Sequence, residues 1–145
     1  MDELTLAMNA SVTAGKLVRE LSDTKYSKSF KESHRDVVTE VDLISEKIII
    51  DTLSSLESFS YLSEETNELV GNGDDFWAID PIDGTANFVN GGEYYCVSIG
   101  KVSKMTMDLG VIYAPEKQDL YYSHRDFGAF KNQRKLQIYQ IGIKM

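Results

Sequence analysis

The stretch WAIDPIDGTANF, residues 77–88, places two carboxylates inside an otherwise apolar run. A buried carboxylate needs a partner, and this stretch contains no Lys or Arg to provide one. Asp80 precedes Pro81, which has no N–H to satisfy and biases Asp80 toward an extended backbone. Gly84, directly after Asp83, permits a tight turn or a close approach of another backbone. The stretch therefore predicts a strand followed by a tight turn that bears carboxylates.

Two interpretations of this turn remain open on spacing alone. In the first, Asp80 stands at the end of a strand over residues 76–80 and Asp83 lies in the loop beyond it. Both carboxylates and the Ile82 carbonyl then face one point, and oxygen ligands of this kind suit a hard cation such as Mg²⁺. In the second, Asp83 and Gly84 are a common turn pair with no further role.

A second acidic pair follows another strand-like run. Glu64 and Glu65 stand at the end of YLSEET, residues 61–66, where they either join the same cation site or only flank a loop. Between Lys47 and Lys101 the sequence has ten carboxylates and no Lys or Arg. A carboxylate buried in this region must find a distant basic residue, backbone N–H groups or a metal ion.

The composition is that of an ordinary globular protein of one domain. The chain has 145 residues, of which 42% are hydrophobic and 26% charged, and a net charge of −8. This charge argues against a nucleic-acid backbone as the main partner. No run approaches the ~20 apolar residues of a membrane span, and the acidic N-terminus is unlike a secretory signal. We therefore expect a cytoplasmic protein that binds neither nucleic acid nor membrane.

Hydrophobic periodicity predicts two helices followed by strands. The first helix is expected over residues 2–22 and the second from Thr39 to about Leu56, with a polar loop over residues 22–36 between them. Six strand-like runs follow, at residues 59–62, 76–80, 94–102, 105–114, 119–123 and 128–131. The predicted fold class is α+β, with two helices packed on a mostly antiparallel sheet.

Two further polar features have simple structural interpretations. Thr39 and Asp42 fit the helix-capping pattern in which a Ser or Thr precedes an acidic residue by three positions, with Thr39 as the N-cap. On spacing alone this interpretation is favoured over a catalytic one. His34 and His124 are isolated in the sequence, and we expect surface residues rather than bases or ligands.

WAIDPIDGTANF resembles the signature of the inositol monophosphatase family, and the resemblance covers roughly residues 5–138. Five further segments look like family segments in the family's order: DVVTEVD at 36–42, SEET at 63–66, VSIG at 97–100, GVIYAP at 110–115 and GAFKNQRKLQ at 128–137. Members of this family are Mg²⁺-dependent phosphatases of small phosphomonoesters with a layered αβαβα sugar-phosphatase fold. The resemblance implies that this chain forms the N-terminal part of that fold and acts on inositol monophosphate or a related sugar phosphate.

The resemblance also implies a metal centre. By position, Glu64, Asp80, the Ile82 carbonyl and Asp83 match metal ligands, and Glu65 matches an auxiliary acid. A phosphomonoester dianion repels anionic nucleophiles, so an acidic site works only once cations reverse its charge. One Mg²⁺ would lower the pKa of a bound water, and a second would stabilise the leaving alkoxide.

Four residues match the catalytic and phosphate-binding positions of the family. Asp42 and Thr85 correspond to the pair that orients and deprotonates the attacking water. Gly84 and Thr85 would offer backbone N–H groups to the phosphate at a helix N-terminus. Lys31 matches the lysine of a loop that closes the site over metal and phosphate.

The resemblance ends where family members continue into a second domain. That domain normally supplies a further metal-binding aspartate and the side chains that grip the substrate's hydroxyl groups. Within the matched region, GGEYY at residues 91–95 replaces a more apolar segment, and Gln133 stands where a turn glycine is usual.

We expect one domain over residues 1–145 without the C-terminal α/β domain. An uncovered apolar face would then favour a homodimer or a missing C-terminal partner, and the alternative function is a metal- and phosphate-binding module without turnover.

Overall fold

The computed structural model describes residues 2–23, 34–57, 59–66, 69–71 and 73–137, with side chains in the second helix from residue 40 onward. These residues form three helices and one eight-stranded sheet. In chain order the elements are α1 Glu3–Asp23, α2 His34–Leu53, β1 Tyr61–Ser63, β2 Leu69–Val70, β3 Phe76–Asp83, α3 Thr85–Val89, β4 Cys96–Ser103, β5 Thr106–Ala114, β6 Asp119–His124, β7 Gly128–Lys131 and β8 Arg134–Lys135.

Helix α1 forms where the periodicity predicts it, shifted by one residue at each end. The Asp2 carboxylate accepts a hydrogen bond of 2.7 Å from the Thr5 N–H, which satisfies one of the free donors of the first turn. The buried face includes Ala7, Ala10 and Ala14, all fully buried in the main core cluster. Because these side chains are small, the helix backbone lies close to the strands.

Helix α2 begins at His34 rather than at Thr39 and ends at Leu53. Thr39 is therefore inside the helix, and the prediction that it is the N-cap is wrong. Residues 34–38 contain no Gly or Pro that would stop a helix, so the helical run continues past the capping pattern. Residues 24–33 of the predicted loop lie outside the described residues.

The sheet has the order β2-β1-β3-β4-β5-β6-β7-β8. Every neighbouring pair is antiparallel except β1 and β3, which are parallel. The predicted α+β class, with helices on a mostly antiparallel sheet, is confirmed, and each of the six strand-like runs overlaps a strand. Hydrophobic periodicity does not predict β2, β8 and α3, because two to five residues are too few to show a period.

Helices α1 and α2 cover one face of the sheet. Alternate strand residues point toward them, as the two-residue period of a strand requires. The main core cluster contains the following buried residues: Ala7, Ala10, Ala14, Ile49, Leu53, Trp77, Ile79, Val97, Ile99, Leu109 and Val111. Within the part of the chain that the structure describes, no helix combines the length and the apolar character needed to cross a bilayer.

The opposite face of the sheet, called here the open face, is covered by none of the described elements. A row of small residues runs across it from strand to strand. The row consists of Ala78, Gly100, Gly110, Ser123 and Ala129, each opposite the next in the strand register. This row forms the floor of a groove of about 570 Å³. The larger side chains of Leu62, Met107 and Ile112, which are 37%, 58% and 44% exposed, line the same groove.

Candidate metal centre

Two parallel strands end side by side at the candidate site. Strands β1 and β3 pair with Ser63 opposite Ile79. The Glu64 N–H then donates to the Ile79 carbonyl at 3.0 Å, which extends the pairing beyond the end of β1. The Glu64–Glu65 turn is therefore held beside Asp80, and the two acidic segments lie next to each other.

Strand β3 continues through Asp83 instead of stopping at Asp80. The prediction that Asp83 lies in a loop beyond the strand is therefore wrong. The register of β3 against β4 shifts between Asp80 and Asp83. Pro81, which cannot donate a ladder hydrogen bond, lies in this irregular stretch, as is usual for proline in a strand. The Ser45 hydroxyl of α2 donates to the Pro81 carbonyl at 3.0 Å and fixes the stretch from the helix side.

Gly84 makes a left-handed turn between β3 and α3, with φ 87° and ψ 32°. A Cβ at this position would lie 2.7 Å from the Tyr94 carbonyl oxygen, so both the backbone angle and the available space require glycine. Directly after it, the Thr85 hydroxyl donates to the Ile82 carbonyl at 2.9 Å. The first N–H groups of a helix have no partner inside that helix, and Gly84 and Thr85 lie at this end of α3.

Asp42 reaches the acidic residues from α2 and is only 3% exposed. Burial raises the pKa of the Asp42 carboxyl to about 7, and the neighbouring charges of Glu65, Glu64, Asp80 and Glu46 add to the shift. These causes place Asp42 near the acids that directly follow β1 and near Asp80 of β3. The structure thus brings Asp42, Glu64, Glu65 and Asp80 into one cluster.

Asp80 has a buried oxygen without a partner. Burial raises the pKa of its carboxyl to about 7, helped by a hydrogen bond with Glu64 and by the charges of Glu64 and Asp83. Within the described residues, Oδ1 of Asp80 is buried and accepts no hydrogen bond. A buried polar atom left without a partner costs roughly 1–3 kcal/mol. A bound cation would provide that partner.

The oxygen atoms of the cluster and of the adjoining residues 82 and 83 fit Mg²⁺. Glu64, Asp80, Asp83 and the Ile82 carbonyl all offer the hard oxygen ligands that this ion prefers. Burial, together with the charges of Glu64 and Glu46, also raises the pKa of Glu65. Across the described ranges, no three His, Cys, Asp or Glu side chains already converge as a metal cage.

Three other residues singled out in the sequence are Lys31, His34 and His124. Lys31 lies outside the described residues, as does the side chain of His34. His124 is engaged locally, because its ring stacks on Phe127 with 4.7 Å between centroids. Its Nδ1 also accepts a hydrogen bond of 3.1 Å from the Asp126 N–H.

Two residues near the cluster are missed by the sequence reasoning. Glu46 is buried and accepts a hydrogen bond from the Ser63 hydroxyl. The Cys96 thiol points to Oδ2 of Asp83 at 3.8 Å. The only sequence signal for Glu46 is its position one helical turn after Asp42, which puts both carboxylates on the same face of α2.

Comparison with known proteins gives a consistent result. The sequence model of the inositol monophosphatase family matches residues 1–142. The chain is 34% identical over 137 residues to inositol monophosphatase 1 of Bos taurus, covering 91% of this chain and 50% of that protein. It is 34% identical over 136 residues to Nus factor SuhB of Escherichia coli strain K12, covering 92% of this chain and 51% of that protein.

Solved structures agree with the sequence comparison. The structure of inositol monophosphatase from Anabaena sp. PCC 7120 matches with a TM-score of 0.80 at 28% sequence identity, over 94% of this chain and 49% of that one. The sugar-phosphatase fold implied by the resemblance is thereby confirmed, and the chain spans about half the length of the curated relatives it matches. With the family match extending over nearly every residue, the chain belongs to the inositol monophosphatase family.

Proposed function

We propose that this chain carries the metal and phosphate site of an Mg²⁺-dependent phosphatase that hydrolyses inositol monophosphate or a related sugar phosphate. The observation that carries the proposal is the buried, unpartnered Oδ1 of Asp80 among the described residues. This oxygen lies in a cluster of carboxylates, and all of them except Asp42 come from the stretch between Lys47 and Lys101, which has no Lys or Arg. A divalent cation would satisfy the oxygen and neutralise the cluster. Membership of the family supports the reaction class.

In this proposal Glu64, Asp80, Asp83 and the Ile82 carbonyl hold Mg²⁺. When bound, Mg²⁺ supplies the Lewis acid that activates water and neutralises charge on the leaving oxygen. The Thr85 hydroxyl donates to the Ile82 carbonyl, and a carbonyl oxygen has a second lone pair with which it can bind a metal. Thr85 therefore fixes the direction in which that carbonyl points.

Asp42 is proposed to accept the proton of the attacking water through the Thr85 hydroxyl. Thr85 would take the proton from water and give up its own, so its single O–H would turn from the Ile82 carbonyl to Asp42 in this step.

The Asp42 carboxyl is buried, and burial together with the neighbouring charges raises its pKa. A cation bound in the cluster would lower this pKa again. Asp42 is then ionised and able to take a proton at neutral pH. Glu65 is the auxiliary acid, Gly84 and Thr85 offer N–H groups to the phosphate, and Lys31 keeps its predicted role in closing the site.

The test is release of inorganic phosphate from inositol 1-phosphate with and without Mg²⁺. We expect release that requires Mg²⁺ and falls by about 100-fold or more in Asp80→Asn, because loss of a metal ligand costs at least as much as loss of the residues that support one. Asp74→Asn is the matched control, since Asp74 is exposed and precedes β3. It should behave like the wild type.

A metal- and phosphate-binding module without turnover is the second candidate function. It rests on the buried, unpartnered Oδ1 of Asp80 among the described residues, which needs a cation but does not require turnover. Its mark is a melting temperature that rises with Mg²⁺ in the wild type but not in Asp80→Asn, without phosphate release. A folded protein that shows neither effect contradicts both candidates.

A further inference from the structure

Helix α2 presents two consecutive polar side chains to strands β1 and β3. Strand β1 directly precedes the Glu64–Glu65 turn, and β3 contains Asp80. The Ser45 hydroxyl donates to the Pro81 carbonyl of β3, and Glu46 accepts a hydrogen bond from the Ser63 hydroxyl of β1. Ser45, Glu46 and Ser63 are 0%, 6% and 1% exposed. Ser63 is the last residue of β1 and directly precedes Glu64. The interior of the fold therefore connects α2 to both acidic segments.

Glu46 is a carboxylate at a buried position, where it lowers the stability of the folded state unless it has a partner. No Lys or Arg forms an ion pair with it in the described part of the chain. A carboxylate buried without a cationic partner destabilises the folded state. Its charge also acts on Asp42 and Glu65, raising the pKa of both carboxyls. Glu46 thus lies next to the acidic cluster, and a role there would explain why a buried charge stands at this point.

We propose that Glu46, through its hydrogen bond with Ser63, is a positioning residue that holds the Glu64–Glu65 turn against Asp42. This inference rests on the proposed function and deepens it. Like charges in the turn and on α2 repel one another, so the turn would otherwise move away from Asp42. A ligand set held in place before the cation arrives binds it more tightly, because less order must be imposed on binding.

Three substitutions separate positioning from a simple effect of charge. Ser63→Ala removes the hydrogen-bond donor and leaves the Glu46 charge. Glu46→Gln removes the charge and keeps an oxygen that can accept from Ser63, whereas Glu46→Ala removes both. Positioning predicts that Ser63→Ala and Glu46→Ala weaken Mg²⁺ binding while Glu46→Gln stays close to the wild type. A role of charge alone predicts equal effects of the two Glu46 variants and none of Ser63→Ala.

The first readout is the dissociation constant for Mg²⁺, measured by calorimetry on the full chain, beside the melting temperature without Mg²⁺. We expect Ser63→Ala and Glu46→Ala to raise the dissociation constant about tenfold or more, as residues that support metal ligands do. Ser11→Ala is the matched control, because Ser11 is fully buried and donates to the Met8 carbonyl at 3.0 Å within α1. It should lower the melting temperature and leave the dissociation constant unchanged. The same pattern in Ser63→Ala would overturn the inference.

The second readout is amide hydrogen exchange at Glu64 and Glu65 in the metal-free chain. Positioning predicts faster exchange at both amides in Ser63→Ala, and no change in Ser11→Ala. A wild type that binds no Mg²⁺ contradicts the proposed function. Exchange then decides the inference on its own, since faster exchange in Ser63→Ala supports it and unchanged exchange overturns it.

Discussion

Asp42 and Asp80 are carboxylates whose surroundings disfavour their charge, with burial as the first cause and neighbouring acids adding to it. Both carboxyls have a pKa of about 7 in the folded chain, against about 3.9 when unfolded. Between about pH 4 and pH 7 the folded state therefore binds more protons, and stability falls as pH rises. We expect the metal-free chain to lose about 1–2 kcal/mol over this range, after allowing for solvent screening, in urea denaturation with EDTA.

The matched comparison for this pH dependence is Asp80→Asn. Removing one charge from the cluster should raise stability above pH 7 and reduce the slope, because the remaining acids then repel each other less. Saturating Mg²⁺ should flatten the profile of the wild type for the same reason. A metal-free wild type whose stability stays constant between these pH values would show that the two carboxyls titrate normally.

Gly84 is a position in the site that does not tolerate a side chain. Its φ of 87° belongs to glycine, and a Cβ would meet the Tyr94 carbonyl at 2.7 Å. Gly84→Ala is expected to cost about 3 kcal/mol, since the left-handed backbone and the contact with a rigid carbonyl each add a penalty. The free energy of unfolding in urea measures it.

Gly91→Ala is the control for this prediction. Gly91 also has a positive φ, 70°, but no atom lies within 4 Å of its ideal Cβ position. The backbone penalty alone should cost about 1 kcal/mol. Equal losses in the two variants would mean that Tyr94 moves aside and that close approach plays no part at Gly84.

At the scale of elements, local sequence patterns predicted the long helices and strands. They failed at element ends that tertiary contacts determine. Hydrophobic periodicity was sufficient to predict α1, because apolar residues recur along the whole of one helix face. The start of α2 was missed because Thr39 and Asp42 form a valid capping pattern, while Asp42 in fact serves the buried cluster. Pro81 indicated the end of a strand, yet a shift of register lets β3 continue through it.

The candidate site could be located from the sequence only through the family resemblance. Spacing alone left both a turn and a cation site open at Asp80 and favoured the turn. The contacts that assemble the cluster join residues far apart in the chain, such as Glu46 with Ser63 and Ser45 with Pro81, which are 17 and 36 positions apart. These distances close only because β1 and β3 pair in parallel beside α2, and no local pattern contains that information.

The β7–β8 turn gives a prediction for a single element. Asn132 and Gln133 have φ of 47° and 70°, a conformation that Asn tolerates better than Gln. Asn132 is further held by donating to Asp119 and accepting from the Leu120 N–H, both at 2.8 Å. Gln133→Gly should raise the free energy of unfolding by about 1 kcal/mol. Gln133→Ala, which keeps a Cβ, should give no such gain; equal gains would point to the loss of the Gln side chain instead.

At the scale of the whole molecule, the two faces of the sheet differ. One is covered by α1 and α2, whereas the open face carries the groove lined by Leu62, Met107 and Ile112. Apolar surface of this kind promotes association. We propose that a second copy of the chain covers the open face, so that self-association rises with protein concentration.

Ile112→Lys tests whether association uses the open face. Ile112 lies in β5 and is 44% exposed, whereas Met105, 82% exposed, lies in the turn between β4 and β5. A charge at Ile112 would have to be desolvated in any interface built on the groove, so the variant should sediment as a monomer where the wild type associates. Met105→Lys adds the same charge outside the groove and should associate like the wild type. Equal association of both variants would place the interface elsewhere. The open face would then remain exposed to water, with only its row of small residues to limit the apolar surface.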